Sequence, residues 1–177
     1  MNSPNCIRHL VVSKNLPVFI IDISAHEQAL RLSKLAIEEE KTNNPQSISS
    51  NVKAGYVSSY KSHLYNPNFS PLIDIVLSAC AEIGNTAFGS EVKYRVLDCW
   101  GMIYNEGDYA DTHAHFPAPF AAVIYLEMGE DSAPIIFEEN LTVYPKSGNL
   151  IIFPGIMHHE VPATKSKRVV VSMNIGY

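Results

Sequence analysis

A chain of 177 residues, 46% hydrophobic and 18% charged, can bury roughly 70% of the surface its unfolded form exposes, so it needs neither disulfides nor structural zinc to hold a core. A net charge of −5 with scattered Lys and Arg argues against nucleic-acid binding, and no apolar run reaches the ~20 residues of a membrane span. The three cysteines, Cys6, Cys80 and Cys99, are odd in number and form no CxxC pair. They fit reduced thiols; "MNSPNCIRHLVVSKNLPVFIIDI" lacks the layout of a signal peptide, and the expected compartment is the cytoplasm.

In chain order, "LPVFIIDI" reads as a buried strand. Ser24 and Glu27 then form an S-x-x-E pattern that predicts a capped helix over "AHEQALRLSKLAIEEEK", with Leu30, Leu35 and Ile37 on its apolar face. "TNNPQSISSN" has the composition of a loop, and "AGYVSSYKSHLY" is left unassigned. A second helix is expected with Ser70 as N-cap and Pro71 at the first helical position, fading by Gly89. Beyond it the pattern changes to short β-branched or aromatic segments: "YRVLDCWGMIY", "AAVIYLE", "APIIFEE", "LTVY", "NLIIF", "HHEVPA" and "RVVVSMNI". The expected fold is mainly β with N-terminal α-helices, a barrel or jelly roll in one domain over 1–177. Residues 1–92 would be the helical support and 93–177 the β core.

Four of the seven histidines fall into two clusters, His113 with His115 and His158 with His159. Side chains alternate faces along a strand, so Asp111, His113 and His115 should share one face. Two imidazoles there and a third from His158 or His159 would make a facial metal site with positions left open. Asp111 is an alternative ligand, but an i, i+4 spread along a strand covers roughly 13 Å, too far to serve one ion together with His115. Arg168 opens "RVVVSMN", a strand expected beside the histidine strand; buried there, its planar fork would suit a carboxylate.

The order "Y…G..Y…H.H…IYL", "P.SG.LIIFP…H.V" and "R…S.N", from about Trp100 to Asn174, resembles the catalytic half of the Fe(II)- and 2-oxoglutarate-dependent oxygenases. The likeness is nearest to the small oxygenases of phage and bacterial genomes and more distant to the prolyl 4-hydroxylases. It implies a double-stranded β-helix core, Fe(II) held by His113, His115 and His159, and 2-oxoglutarate as cosubstrate. Arg168 and Tyr125 would then bind the C5 carboxylate, Tyr104 would line the cosubstrate pocket, Asn174 would stand beside the metal, and His158 would face away. His115 departs from the family's more usual aspartate and makes the implied centre a three-histidine one. The implied activity is hydroxylation with O2, releasing succinate and CO2. A protein or peptide side chain, proline among them, is the natural substrate class, and a homodimer is left open. The alternatives are a cupin-like three-histidine dioxygenase that needs no 2-oxo acid and a non-catalytic β-barrel binding module.

Overall fold

The computed structural model describes residues 15–48, 51–89 and 91–177; Cys6 and the start of the chain lie outside them. Eleven strands are present among the described residues: β1 (Phe19–Asp22), β2 (Val52–Lys53), β3 (Tyr56–Val57), β4 (Arg95–Tyr104), β5 (Tyr109–His113), β6 (Phe120–Met128), β7 (Ile135–Phe137), β8 (Leu141–Val143), β9 (Asn149–Pro154), β10 (His159–Val161) and β11 (Arg168–Gly176). They pair antiparallel into two sheets, ordered β1-β9-β6-β11-β4-β3 and β2-β5-β10-β7-β8. This is the double-stranded β-helix, with helices α1 (Glu27–Asn43) and α2 (Ser70–Phe88) packed outside the larger sheet.

Strand alternation divides the core in two. Val169, Val171, Met173 and Ile175 of β11, with Ile124 of β6 and Leu150 and Ile152 of β9, pack against Ala36 and Ile37 of α1 and Leu72, Val76 and Cys80 of α2. The other parity, Val170 with Val123, Tyr125, Ile151 and Phe153, faces into the barrel. A period of two therefore sends alternate residues of each long strand to the helices and to the site.

Several local expectations are corrected. α1 starts at Glu27 with His26 as a residue that caps without its side chain, so no capping box forms; the Ser24 N–H instead donates to Asp22 Oδ1 at 2.9 Å. A 3-10 turn, Pro67–Phe69, runs straight into α2 and makes Ser70 a helical residue rather than the cap. Gly89 ends α2 in the left-handed region, φ 60°, as a C-terminal glycine should. β1 pairs only with β9 and exposes Ile20 by 53%, so it is a sheet edge and not a buried strand. The unassigned "AGYVSSYKSHLY" supplies β3 and a 3-10 turn, Ser62–Leu64. Among the described residues no helix is long and apolar enough to cross a membrane.

Candidate metal centre and anion pocket

β5 and β10 are neighbours in the smaller sheet, and their register sets His113 directly opposite His159. His115 arrives by another route. β5 ends at His113, and the turn after it is fixed by the His115 N–H donating to Gly155 O at 2.7 Å and the Ala118 N–H donating to His115 O at 2.9 Å. The expected shared strand face is thus corrected: Asp111 is exposed, and His115 is buried because the chain has left the strand. The three rings gather at centroid separations of 4.3 Å (His113–His159), 5.1 Å (His115–His159) and 5.4 Å (His113–His115). One ligand nitrogen from each lies within 4.8 Å of the others. Asp111 contributes only its carbonyl, which accepts from His113 Nδ1 at 2.7 Å, and the gathered set does not include its carboxylate.

Each ring is anchored through Nδ1: His113 to Asp111 O, His159 to Met157 O at 3.3 Å, and His115 to Asn174 Oδ1 at 2.6 Å. Carbonyl oxygens only accept, so the first two rings carry their proton on Nδ1 and turn Nε2 inward as a lone pair. His115 Nε2 is buried with no hydrogen-bond partner. Such an orphan costs about 1–3 kcal/mol unless something meets it, and a cation would. Burial, with the neighbouring histidines adding to it, holds His159 down to about 3; burial likewise brings His115 to about 4 and lowers His113. Neutral imidazoles are what a divalent metal requires. His158, one residue from His159, is exposed and lies 3.9 Å from Glu138.

Arg168 stands on the opposite wall. β11 pairs with β4 and β6 in the larger sheet, not with the histidine strands, so the expected adjacency is corrected to a position across the barrel. The guanidinium is 1% exposed, and among the described residues no carboxylate pairs with it. One Nη donates to Ala133 O at 3.2 Å, while Nε has no partner. Tyr104 and Tyr125 flank it, with ring centroids 4.8 and 5.4 Å from Cζ. Burial pushes both phenols up to about 12, so both keep their protons, and the Tyr125 hydroxyl is buried without a partner. A buried cation with no carboxylate partner beside an unused hydroxyl donor has the chemistry to receive a carboxylate.

The histidines and Arg168 border one narrow cavity of about 30 Å³, together with Trp100, Met102, Tyr104 and Tyr125. A wider cleft of about 360 Å³ is bordered by Thr112, Ile136, Glu138 and Glu160. Thr112, Ile136 and Glu160 have the opposite parity to His113, Phe137 and His159, so that cleft runs along the outer face of the smaller sheet, and it meets the metal centre at His159, which borders it together with His158. Two further residues, Asp98 and Lys61, join the site. Asp98 begins the inward parity of β4 that continues through Trp100, Met102 and Tyr104, and it binds Asn174; Lys61 in turn binds Asp98. An acidic residue in phase with three inward aromatic or thioether side chains is the signal that could have found it.

No protein-family model matches the chain, and no curated protein matches it in sequence. Solved structures share its fold. It is similar to a Pseudomonas putida prolyl-4-hydroxylase at 12% identity and a TM-score of 0.67, covering 90% of this chain and 92% of that one. The viral collagen prolyl hydroxylase of Paramecium bursaria Chlorella virus-1, solved as a 2-oxoglutarate complex, aligns at 17% identity and a TM-score of 0.64 over 89% of this chain and 94% of the other. A Burkholderia pseudomallei oxidoreductase of the 2OG-Fe(II) oxygenase family aligns at 15% identity and a TM-score of 0.54 over 63% of this chain, and the match spans 58% of that protein.

Proposed function

We propose that the protein is an Fe(II)- and 2-oxoglutarate-dependent oxygenase that hydroxylates its substrate. The observation that carries this is the pairing, inside one barrel, of three gathered neutral histidines with a buried guanidinium that has no anion. Neither feature is explained by packing, and each is completed by one half of the metal–cosubstrate pair. When bound, Fe(II) supplies the redox chemistry by which O2 and 2-oxoglutarate are converted to succinate and CO2 as the substrate is hydroxylated.

The residues' own tasks are positional. His113, His115 and His159 offer Nε2 and keep Nδ1 anchored; Arg168 and the Tyr125 hydroxyl take the distal carboxylate; Tyr104 covers the guanidinium face. A cavity of about 30 Å³ has room for about one water. The likeness to prolyl hydroxylases favours a peptide substrate, proline first among its residues.

A three-histidine dioxygenase without a 2-oxo acid leaves Arg168 and Tyr125 unused, and a binding module leaves the histidines unused. The test is titration of 2-oxoglutarate into anaerobic Fe(II) protein, followed by the visible charge-transfer band and then by succinate release under O2. The band and succinate are expected together. Iron binding with no band favours the cosubstrate-free dioxygenase, and no iron binding favours the module.

A further inference from the structure

We infer that Asp98 and Asn174 form a positioning relay that fixes the tautomer of His115 and so keeps its Nε2 free as a lone pair; this rests on the metal-centre reading above. Asn174 Nδ2 donates to Asp98 Oδ2 at 2.8 Å, and Asn174 Oδ1 faces His115 Nδ1 at 2.6 Å. Asn174 and Asp98 are register partners on β11 and β4, so the contact is built into the larger sheet while His115 hangs from the loop opposite.

A carboxylate can only accept, so Asp98 compels Asn174 to present its NH2 and thereby turns the amide oxygen toward His115. Facing that oxygen, Nδ1 must carry the imidazole proton, which leaves Nε2 as a bare lone pair. His113 and His159 obtain the same tautomer from main-chain carbonyls, which cannot flip. A side-chain amide can. Without Asp98 the amide has no fixed sense, and in the reversed sense its NH2 would meet Nδ1 and put the proton on Nε2, where a metal could not bind. Lys61 Nζ, 2.7 Å from Asp98 Oδ1, and the Asn174 NH2 keep the carboxylate ionised against the cost of burial, its pKa being lowered. Outer partners of metal-bound histidines work this way in general: they fix the ring and raise its basicity.

The relay is tested on metal-free and Co(II)-loaded protein. In the apo protein, nitrogen-detected NMR of the histidine rings should show His115 protonated at Nδ1, and Asp98→Asn should convert part or all of that signal to the other tautomer. Asp98→Asn should also weaken Co(II) binding by roughly 10- to 100-fold and shift the visible Co(II) bands. The doubled variant, Asp98→Asn with Asn174→Asp, restores a fixed acceptor at His115 with an amide donor behind it, and should recover Co(II) affinity to within about threefold of wild type. That rescue separates the relay from a loss of folding. An Nε2-protonated His115 in the wild type, a wild-type affinity and spectrum in Asp98→Asn, or a doubled variant no better than the single one would each overturn the relay. A wild type with the Nδ1 tautomer but no affinity for Co(II) would instead overturn the metal-centre reading and take the relay's purpose with it.

Discussion

His158 and His159 are chain neighbours with opposite surroundings, and the difference yields a test at single-residue resolution. The His158 ring is exposed near Glu138, whereas His159 is 4% exposed, stacked on His115 and set against Phe153. Replacing His159 with Ala should lower Mn(II) affinity by at least about 100-fold, since two neutral ligands hold a labile ion poorly, and His158→Ala should leave it nearly unchanged. Calorimetry with Mn(II) reads both, and the reverse order would show the wrong histidine to be the ligand. The same reasoning applies at Arg168. Arg168→Ala should cost about 2–4 kcal/mol in 2-oxoglutarate binding, roughly 30- to 1,000-fold, because a buried carboxylate loses its charge-assisted contact. Metal affinity should hold, Arg168→Lys should recover only part, and Tyr125→Phe should cost about 1 kcal/mol. Unaltered 2-oxoglutarate affinity in Arg168→Ala would remove the arginine from the site.

Between elements the tightest constraint near the site is Gly155, in the turn between β9 and β10. A Cβ there would strike the carbonyl oxygen of Ala118, and the Gly155 N–H and C=O already bond Pro119 O and the His115 N–H. This turn therefore holds the His115 loop through main-chain hydrogen bonds. Gly155→Ala should push the loop away, destabilise the fold by about 1–3 kcal/mol and weaken Mn(II) binding; a stability loss with full affinity would show that the loop recovers its place. Gly101 of β4 is the counterpart on the helical side. Its missing Cβ leaves room for Ile37 of α1, so Gly101→Ala should lower Tm while leaving metal affinity intact. Elements were more legible in the sequence than their neighbours. The β-branched runs predict β4, β6, β9 and β11 closely because a period of two is a local property, and the same parity places Arg168 and Asn174 on one face. Which strands pair is not local. Hence Arg168 was expected beside the histidines and lies across from them, and the Asn174–Asp98 contact, 76 residues apart in the chain, left no pattern to read.

At the scale of the whole molecule, the site draws on two sheets that share only the barrel interior: the histidines belong to the smaller sheet and its loop, while Arg168, Tyr104, Tyr125 and Asn174 belong to the larger. Burying three imidazoles between those sheets stakes the stability of the fold on their neutrality. Burial depresses His115 to about 4 and His159 to about 3, against about 6.5 in an unfolded chain. The sign follows from proton counting. Between those values the unfolded chain binds more protons than the folded one, so the free energy of unfolding rises with pH; the contribution is complete above about pH 6.5 and is lost as pH falls toward 4 and then 3. Asp22, Asp98 and Glu127, whose carboxyls are lowered by hydrogen bonds from their partners, lose their contributions below the ordinary carboxylate range. The interval from pH 6.5 to 4.5 therefore reads the histidines, His115 and His159 foremost, with His113 and the half-buried His63, both lowered by burial, adding to the slope. Metal-free protein should lose about 2–5 kcal/mol across it, read by urea unfolding at each pH. A variant with both His115→Gln and His159→Gln should show a much flatter profile over that interval while keeping its acid loss below pH 4. Saturating Mn(II) should raise the wild-type midpoint most at neutral pH, with the increment shrinking as protons compete for Nε2. A wild-type profile that is flat from pH 6.5 to 4.5, or one that the doubled variant reproduces, would show that the barrel accommodates charged imidazoles, and the orphaned Nε2 of His115 would then have a proton rather than a metal as its natural partner.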